Sequence, residues 1–227
     1  DYPQMTQALH AAAERGAHIV ITAPSGVVDS QLGAILGGYL GSLSDLAGVR
    51  VLEHSTLTGP SQGRVYDARE KAANRISSAV STPAACDWCG IDTDNEALKR
   101  TADLLGGAAT DLRSGRWAEK IAPAAGLQWQ IPGDSTLEGG PERVGYFDGR
   151  GGGLDLAGLP ALTRRKVGRG SVWYAGVDFD ALTRSVLLRL WTTYTRIRPV
   201  VPDLPEGVEA QEREGFLFIL NHSDRAV

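Results

Sequence analysis

The chain has 227 residues, 42% of them hydrophobic and 22% charged, enough for one substantial core and a small second module. A formal net charge of −4, with basic residues that form no stripe, argues against non-specific nucleic-acid binding. No apolar run approaches the roughly 20 residues of a membrane-spanning helix, and no signal-peptide pattern opens the chain.

Met5, Ala8, Leu9 and Ala12 recur at helical spacing, with Gly16 as a stop. Residues 18–23, His-Ile-Val-Ile-Thr-Ala, read as a short buried strand ending at Pro24-Ser25-Gly26. A helix over 40–46 closed by Gly48 and a strand over 49–53 repeat that step. Helix–strand alternation with short loops predicts a parallel α/β sheet. Such sheets are built from strand–helix–strand units, so a strand upstream of Asp1 is expected to precede the first helix.

Residues 59–115 are rich in Ser, Thr, Pro and Gly, and long loops are expected there. Within them, 94–105 predicts a helix, with Thr93 and Glu96 spaced as a capping box and Gly106-Gly107 as the stop. Residues 117–121 read as a short helix, 127–131 as a strand and 144–147 as another.

The pattern sharpens afterwards. Residues 160–167, the turn Gly168-Arg169-Gly170 and residues 171–175 form a predicted hairpin. Asp180 can cap a helix whose apolar face carries Leu182, Val186, Leu187, Leu190, Trp191 and Tyr194. Pro199, Pro202 and Pro205 make a stiff linker, followed by an antiparallel pair over 208–213 and 215–221. Two strands alone hold no independent core.

Cys86-Asp87-Trp88-Cys89 is the most tempting chemical motif. A C-x-x-C pair serves as a redox dithiol, a local disulfide or half a zinc site, yet no second pair accompanies it, and a structural role without chemistry stays open. With only two cysteines a reducing, cytoplasmic setting is expected, although the chain opens at Asp1 rather than Met. Asp92, Asp94 and Glu96 alternate like a calcium loop, but Ala97 and Asp103 stand at its obligatory Gly and Glu positions. The acids suit a helix N-terminus instead. Ser25 follows a strand at a tight turn, but Ala23 and Val27 replace the glycines of a nucleophile elbow. His222-Ser223-Asp224 holds all three triad residue types consecutively, where adjacent strand residues face opposite ways. Gly37-Gly38-Tyr39-Leu40-Gly41 lacks the strand and downstream acid of a dinucleotide fingerprint.

Three stretches, in order, resemble the post-barrel region of glycoside hydrolase family 42. Residues 17–29, with Pro24-Ser25-Gly26-Val27-Val28-Asp29, are similar to that family's strand and turn, and Leu36-Gly37-Gly38-Tyr39-Leu40-Gly41 and Asp45-Leu46-Ala47-Gly48-Val49 follow in register. Leu159-Pro160-Ala161-Leu162-Thr163-Arg164 with residues 168–176 resembles its hairpin. Gly207-Val208-Glu209 with residues 215–224 resembles the opening of its small C-terminal β-domain. The likeness covers roughly 5–58 and 112–227, leaving 59–111 apart with the cysteine pair.

The resemblance implies a flavodoxin-like (class I glutamine amidotransferase-like) α/β fold, a parallel sheet flanked by helices, over residues 1–198. It implies a linker and the first strands of a C-terminal β-sandwich over 199–227. The implied role is non-catalytic: assembly of a homotrimer within a retaining β-galactosidase that hydrolyses terminal non-reducing β-D-galactosides. In that family two glutamates on a (β/α)₈ barrel carry the chemistry; a barrel needs about 250 residues and eight repeats, which this chain lacks. No catalytic residue, cofactor or metal is therefore expected here, with Cys86 and Cys89 the weak candidates for metal. Two other readings compete. One is a stand-alone flavodoxin-like or amidotransferase-like enzyme acting through Ser25 or Cys86. The other is a carbohydrate-binding module stacking sugar on Trp117, Trp129 or Trp173.

Overall fold

The computed structural model describes residues 3–35, 39–56, 89–105, 112–130, 139–151 and 156–225. It contains two compact units, Asp1–Leu187 and Leu188–Val227.

The first unit opens with α1 (Pro3–Glu14). Proline at its first position loses no hydrogen bond, because the first helical N–H groups have no intrahelical acceptor. Gly16, at φ 116°, turns the chain into β1 (His18–Thr22). After a loop come α2 (Leu43–Ala47) and β2 (Val49–Thr56). Gly48 closes α2 in the left-handed conformation, its N–H donating to the carbonyl of Ser44. These elements follow the sequence pattern.

Further along lie β3 (Cys89–Asp92), α3 (Glu96–Leu104), β4 (Ser114–Pro123) and β5 (Glu142–Gly151). The hairpin β6 (Pro160–Val167) and β7 (Gly170–Ala175) comes next, then β8 (Val177–Phe179) and α4 (Ala181–Thr195). Asp180 caps α4 as anticipated, its Oδ1 accepting from the Thr183 N–H at 2.8 Å. Val186 and Leu187 on the predicted apolar face are buried.

The sheet arrangement corrects the expected fold class. A five-stranded sheet has the order β1-β7-β6-β5-β3, and a three-stranded sheet the order β2-β4-β8. Among the described strands of this unit only β1 and β7 run parallel, and every other pairing is antiparallel. The unit is thus two mixed or antiparallel sheets with few helices, not a helix-flanked, flavodoxin-like parallel sheet. The physical reason lies in β2. Although it follows a helix, it pairs antiparallel with β4 in the second sheet rather than extending the first.

Three local expectations also change. Residues 117–121 are not helical but belong to the long strand β4. Residues 127–129 form no strand, and Gln130 makes only a single bridge to Glu142. The cap of α3 is Asn95, whose Oδ1 accepts from the N–H groups of Ala97 and Leu98, both at 3.1 Å. Thr93 sits two residues too early for that role. Its hydroxyl donates to the Val144 carbonyl and accepts from the Asn95 N–H, tying α3 to β5. Gly106-Gly107 and Gly37-Gly38 lie outside the described residues.

One core cluster joins both sheets. Ile21, Val172 and Tyr174 of the large sheet meet Ala13 of α1, Leu43, Leu46 and Ala47 of α2, Val49 and Val51 of β2, and Ile121 of β4. All six residues of β7 are buried, as befits an interior strand covered on both faces. The β6–β7 turn is held close to α1. A Cβ on Gly170 would stand 2.0 Å from the Ala17 carbonyl oxygen, and one on Gly168 2.5 Å from the Glu14 Cα.

The chain passes from one sheet to the other at Gly176, between β7 and β8. Its N–H donates to Ala161 on β6, and its carbonyl accepts from the Glu119 N–H on β4 at 2.7 Å. That residue therefore marks the corner where the chain crosses between the two sheets.

In the second unit, Pro199, Pro202 and Pro205 lie in irregular structure, followed by the hairpin β9 (Val208–Arg213) and β10 (Phe216–Asn221). Phe216 pairs with Arg213 and Asn221 with Val208. Glu214 and Gly215 both have positive φ, the backbone a tight primed turn requires. Every residue of β10 is exposed.

Candidate functional site

Among the described residues the sequence candidates for chemistry are not gathered into a site. Cys86 lies outside the described residues. The backbone of Cys89 pairs with Gly151 at the edge of the large sheet. Ser25 spends its hydroxyl on the Thr22 carbonyl at 2.5 Å, closing the turn after β1. The His222 Nε2 faces Glu209 at 3.3 Å, while the Ser223 hydroxyl binds Asn221 and the Arg225 carbonyl instead. Asp94 is exposed, and Glu96 pairs with Lys99 at 3.3 Å in the first turn of α3. No cluster of three or more metal-ligating side chains occurs among the described residues.

The three tryptophans named as sugar platforms are engaged internally. Trp173 is buried, with the Arg164 guanidinium 5.6 Å above its ring. That arginine is bound by Glu142 at 2.6 Å. Trp129 packs against the core cluster. Trp117 stacks on the His54 ring, centroids 4.8 Å apart and planes 13° from parallel, and Tyr39 meets the same imidazole edge-on at 4.5 Å.

Beneath that aromatic group lies the most unusual polar side chain of the unit. Glu119 on β4 is 1% exposed. Its Oε2 accepts from the Tyr174 hydroxyl on β7, and its Oε1 accepts from the Trp117 indole N–H at 2.9 Å. Directly opposite on β2 stands His54. Burial pushes the Glu119 carboxyl above its ordinary range, opposed by the hydrogen bonds from Tyr174 and Trp117 and by the nearby imidazole. Burial, then the adjacent carboxylate, also raises Tyr174, which stays the donor. Asp178 on β8 completes the surroundings, accepting from the Trp117 backbone N–H at 2.6 Å. Glu119 can hold or release a proton, but its seclusion keeps any substrate from it.

Sequence reasoning missed this cluster because it gave 117–121 the wrong period. On a helix Trp117 and Ile121 share a face without Glu119; on a strand all three point one way. An available signal was the adjacency of Trp and Ile at alternate positions around a lone acid. Helix-favouring Ala118, Glu119 and Lys120 obscured it.

Surface apolar side chains offer the other functional material. In the first unit Met5, Val20, Leu32, Leu52, Leu104 and Leu105 are exposed. Leu32 stands at the tip of a loop organised by Asp29, whose Oδ1 accepts from the N–H groups of Gln31 and Gly33, each at 2.8 Å.

Residues 2–104 match the family model described as "Beta-galactosidase trimerisation domain". That match runs through 59–104, which sequence reasoning sets apart. The chain is similar to Beta-galactosidase LacZ of Heyndrickxia coagulans, 27% identical across 93% of this chain and 24% of that protein. It is also similar to Beta-galactosidase BglY of Alicyclobacillus acidocaldarius, 25% identical across 99% of this chain and 26% of the relative. The solved β-galactosidase from Bacillus circulans sp. alkalophilus superposes with a TM-score of 0.63 at 20% identity, covering 97% of this chain and 25% of that one. This chain therefore spans about a quarter of the length of the curated relatives it matches. No described helix is long and apolar enough to cross a membrane.

Proposed function

We propose that this chain supplies subunit assembly to a family 42 β-galactosidase, as a homotrimer, a reading supported by the match of residues 2–104 to the trimerisation-domain model. The family match carries the reading, and the mismatch of lengths sharpens it. What this chain shares with its relatives is a quarter-length segment, not the barrel on which glycoside chemistry is expected. Retaining hydrolysis of terminal non-reducing β-D-galactosides is, in this proposal, work done by a separate barrel that this segment helps to hold in a trimer.

The same proposal assigns residues 1–198 to the assembly domain and 199–227 to a linker and the first strands of a β-sandwich. Five consecutive exposed apolar residues on β10, Phe216 to Leu220, support that second assignment, since a strand of this kind needs further partners. A cytoplasmic setting belongs to the proposal too, supported by the two-cysteine composition.

Sedimentation velocity of the purified chain over a concentration series tests the central point. A mass three times the 24.1 kDa of one chain is expected at high concentration. A clean monomer throughout would overturn it. A chromogenic β-galactoside should remain uncleaved by this chain alone, and turnover would place catalysis where the proposal does not.

A further inference from the structure

Glu119 stands where a buried carboxyl is costly. It lies at the corner shared by two sheets, and each of its oxygens is bound by a neutral donor: the Tyr174 hydroxyl from the large sheet and the Trp117 indole from its own strand. No lysine or arginine pairs with it among the described residues. The remaining ionisable groups around it are His54, opposite on β2, and Asp178 on β8, whose carboxylate is occupied by the Trp117 backbone. A buried carboxylate held only by neutral donors is poorly compensated for lost hydration, and that cost of burial outweighs the two hydrogen bonds, which by themselves favour the charged form.

We propose that Glu119, Tyr174, Trp117 and His54 form a proton-operated latch at the corner where the chain crosses at Gly176 from one sheet to the other. With a proton on Glu119 the corner is closed by hydrogen bonds between neutral groups. When the proton leaves, a negative charge sits between the β2-β4-β8 sheet and the five-stranded sheet, and their junction weakens. His54 modulates the transition, because a positive imidazole stacked on Trp117 favours the charged carboxylate.

The direction of the pH dependence follows from which state holds the proton longer. The folded chain retains the Glu119 proton to higher pH than the unfolded chain does. Folding strength from this group is therefore full below the ordinary carboxyl range and declines as pH rises toward the raised folded value. One such group changes the folded-to-unfolded ratio by at most about tenfold per pH unit. The latch is independent of the assembly reading and would persist in a monomer.

The test is denaturant unfolding of the full 227-residue chain and its E119Q variant from pH 4.5 upward. Subtracting the two profiles cancels the other titrating groups. The wild type should lose folded population relative to E119Q across the window above the ordinary carboxyl range, then run parallel to it. Parallel profiles from the start would overturn the latch. Should E119Q fail to fold, Y174F carries the test through the carboxyl carbon resonances of labelled glutamate. Losing the Tyr174 donor should move one buried carboxyl to a still higher titration midpoint than in the wild type. Finding every glutamate of both proteins in the ordinary range would overturn the proposal.

Discussion

Two regions of this molecule place aromatic and aliphatic side chains on strands in opposite circumstances. In β7, Val172, Trp173 and Tyr174 are buried on both faces, and even the Tyr174 hydroxyl has a partner. In β10, Phe216, Leu217, Phe218, Ile219 and Leu220 are all between 43% and 69% exposed. Length alone does not separate the strands, since both are six residues long with bulky apolar side chains at their centre. What differs is the number of neighbours: β7 lies between β1 and β6, whereas β10 pairs, among the described residues, only with β9. A hydrophobic run declares that a surface wants covering. The topology decides whether the covering is internal.

Truncation should expose that contrast most strongly at Tyr174. Y174A would open a cavity and deprive Glu119 of a donor, with a loss of about 4 kcal/mol in denaturant unfolding. A loss under about 1 kcal/mol would mean that β7 is less tightly enclosed than its burial indicates. The α3 cap lies between the extremes. Removing the Asn95 side chain strands two N–H groups at the helix start, so N95A should cost about 1 kcal/mol, read by the same unfolding curve. The smallest effect belongs to β10. F218A should shift stability by no more than about 0.5 kcal/mol, and a cost on the scale of Tyr174 would show that the strand is covered in solution.

Local patterns were legible wherever one residue type dictates one geometry. Gly48 ends α2, Asp180 starts α4, and Gly168 and Gly170 bracket the β6–β7 turn, all as their chemistry predicts. Pairing between distant segments was not legible. Nothing in the sequence of β2 states that its partner is β4, more than fifty residues later, or that the pair forms a second sheet. The helix–strand alternation at the start was real, but its extension to a parallel sheet assumed that each new strand joins the last. The buried carboxyl escaped for a related reason. Ala118 and Lys120 favour helix, and the strand is imposed by Val177 and by the β2 register rather than by local preference. The functional reading came from the order of three family-like stretches, which depends on none of these pairings.

Hairpin tips are ordinarily where a chain best accepts grafted sequence, but the β6–β7 tip is pressed against the end of α1, with α1 backbone where a side chain on Gly168 or Gly170 would go. A label or affinity tag placed there would pry the first helix from its sheet. The Gly126 turn has no atom within 4 Å of the position a side chain would take. Reporter groups for following subunit association belong in that turn as an insertion that keeps Gly126 itself, whose φ of 79° a side chain would strain.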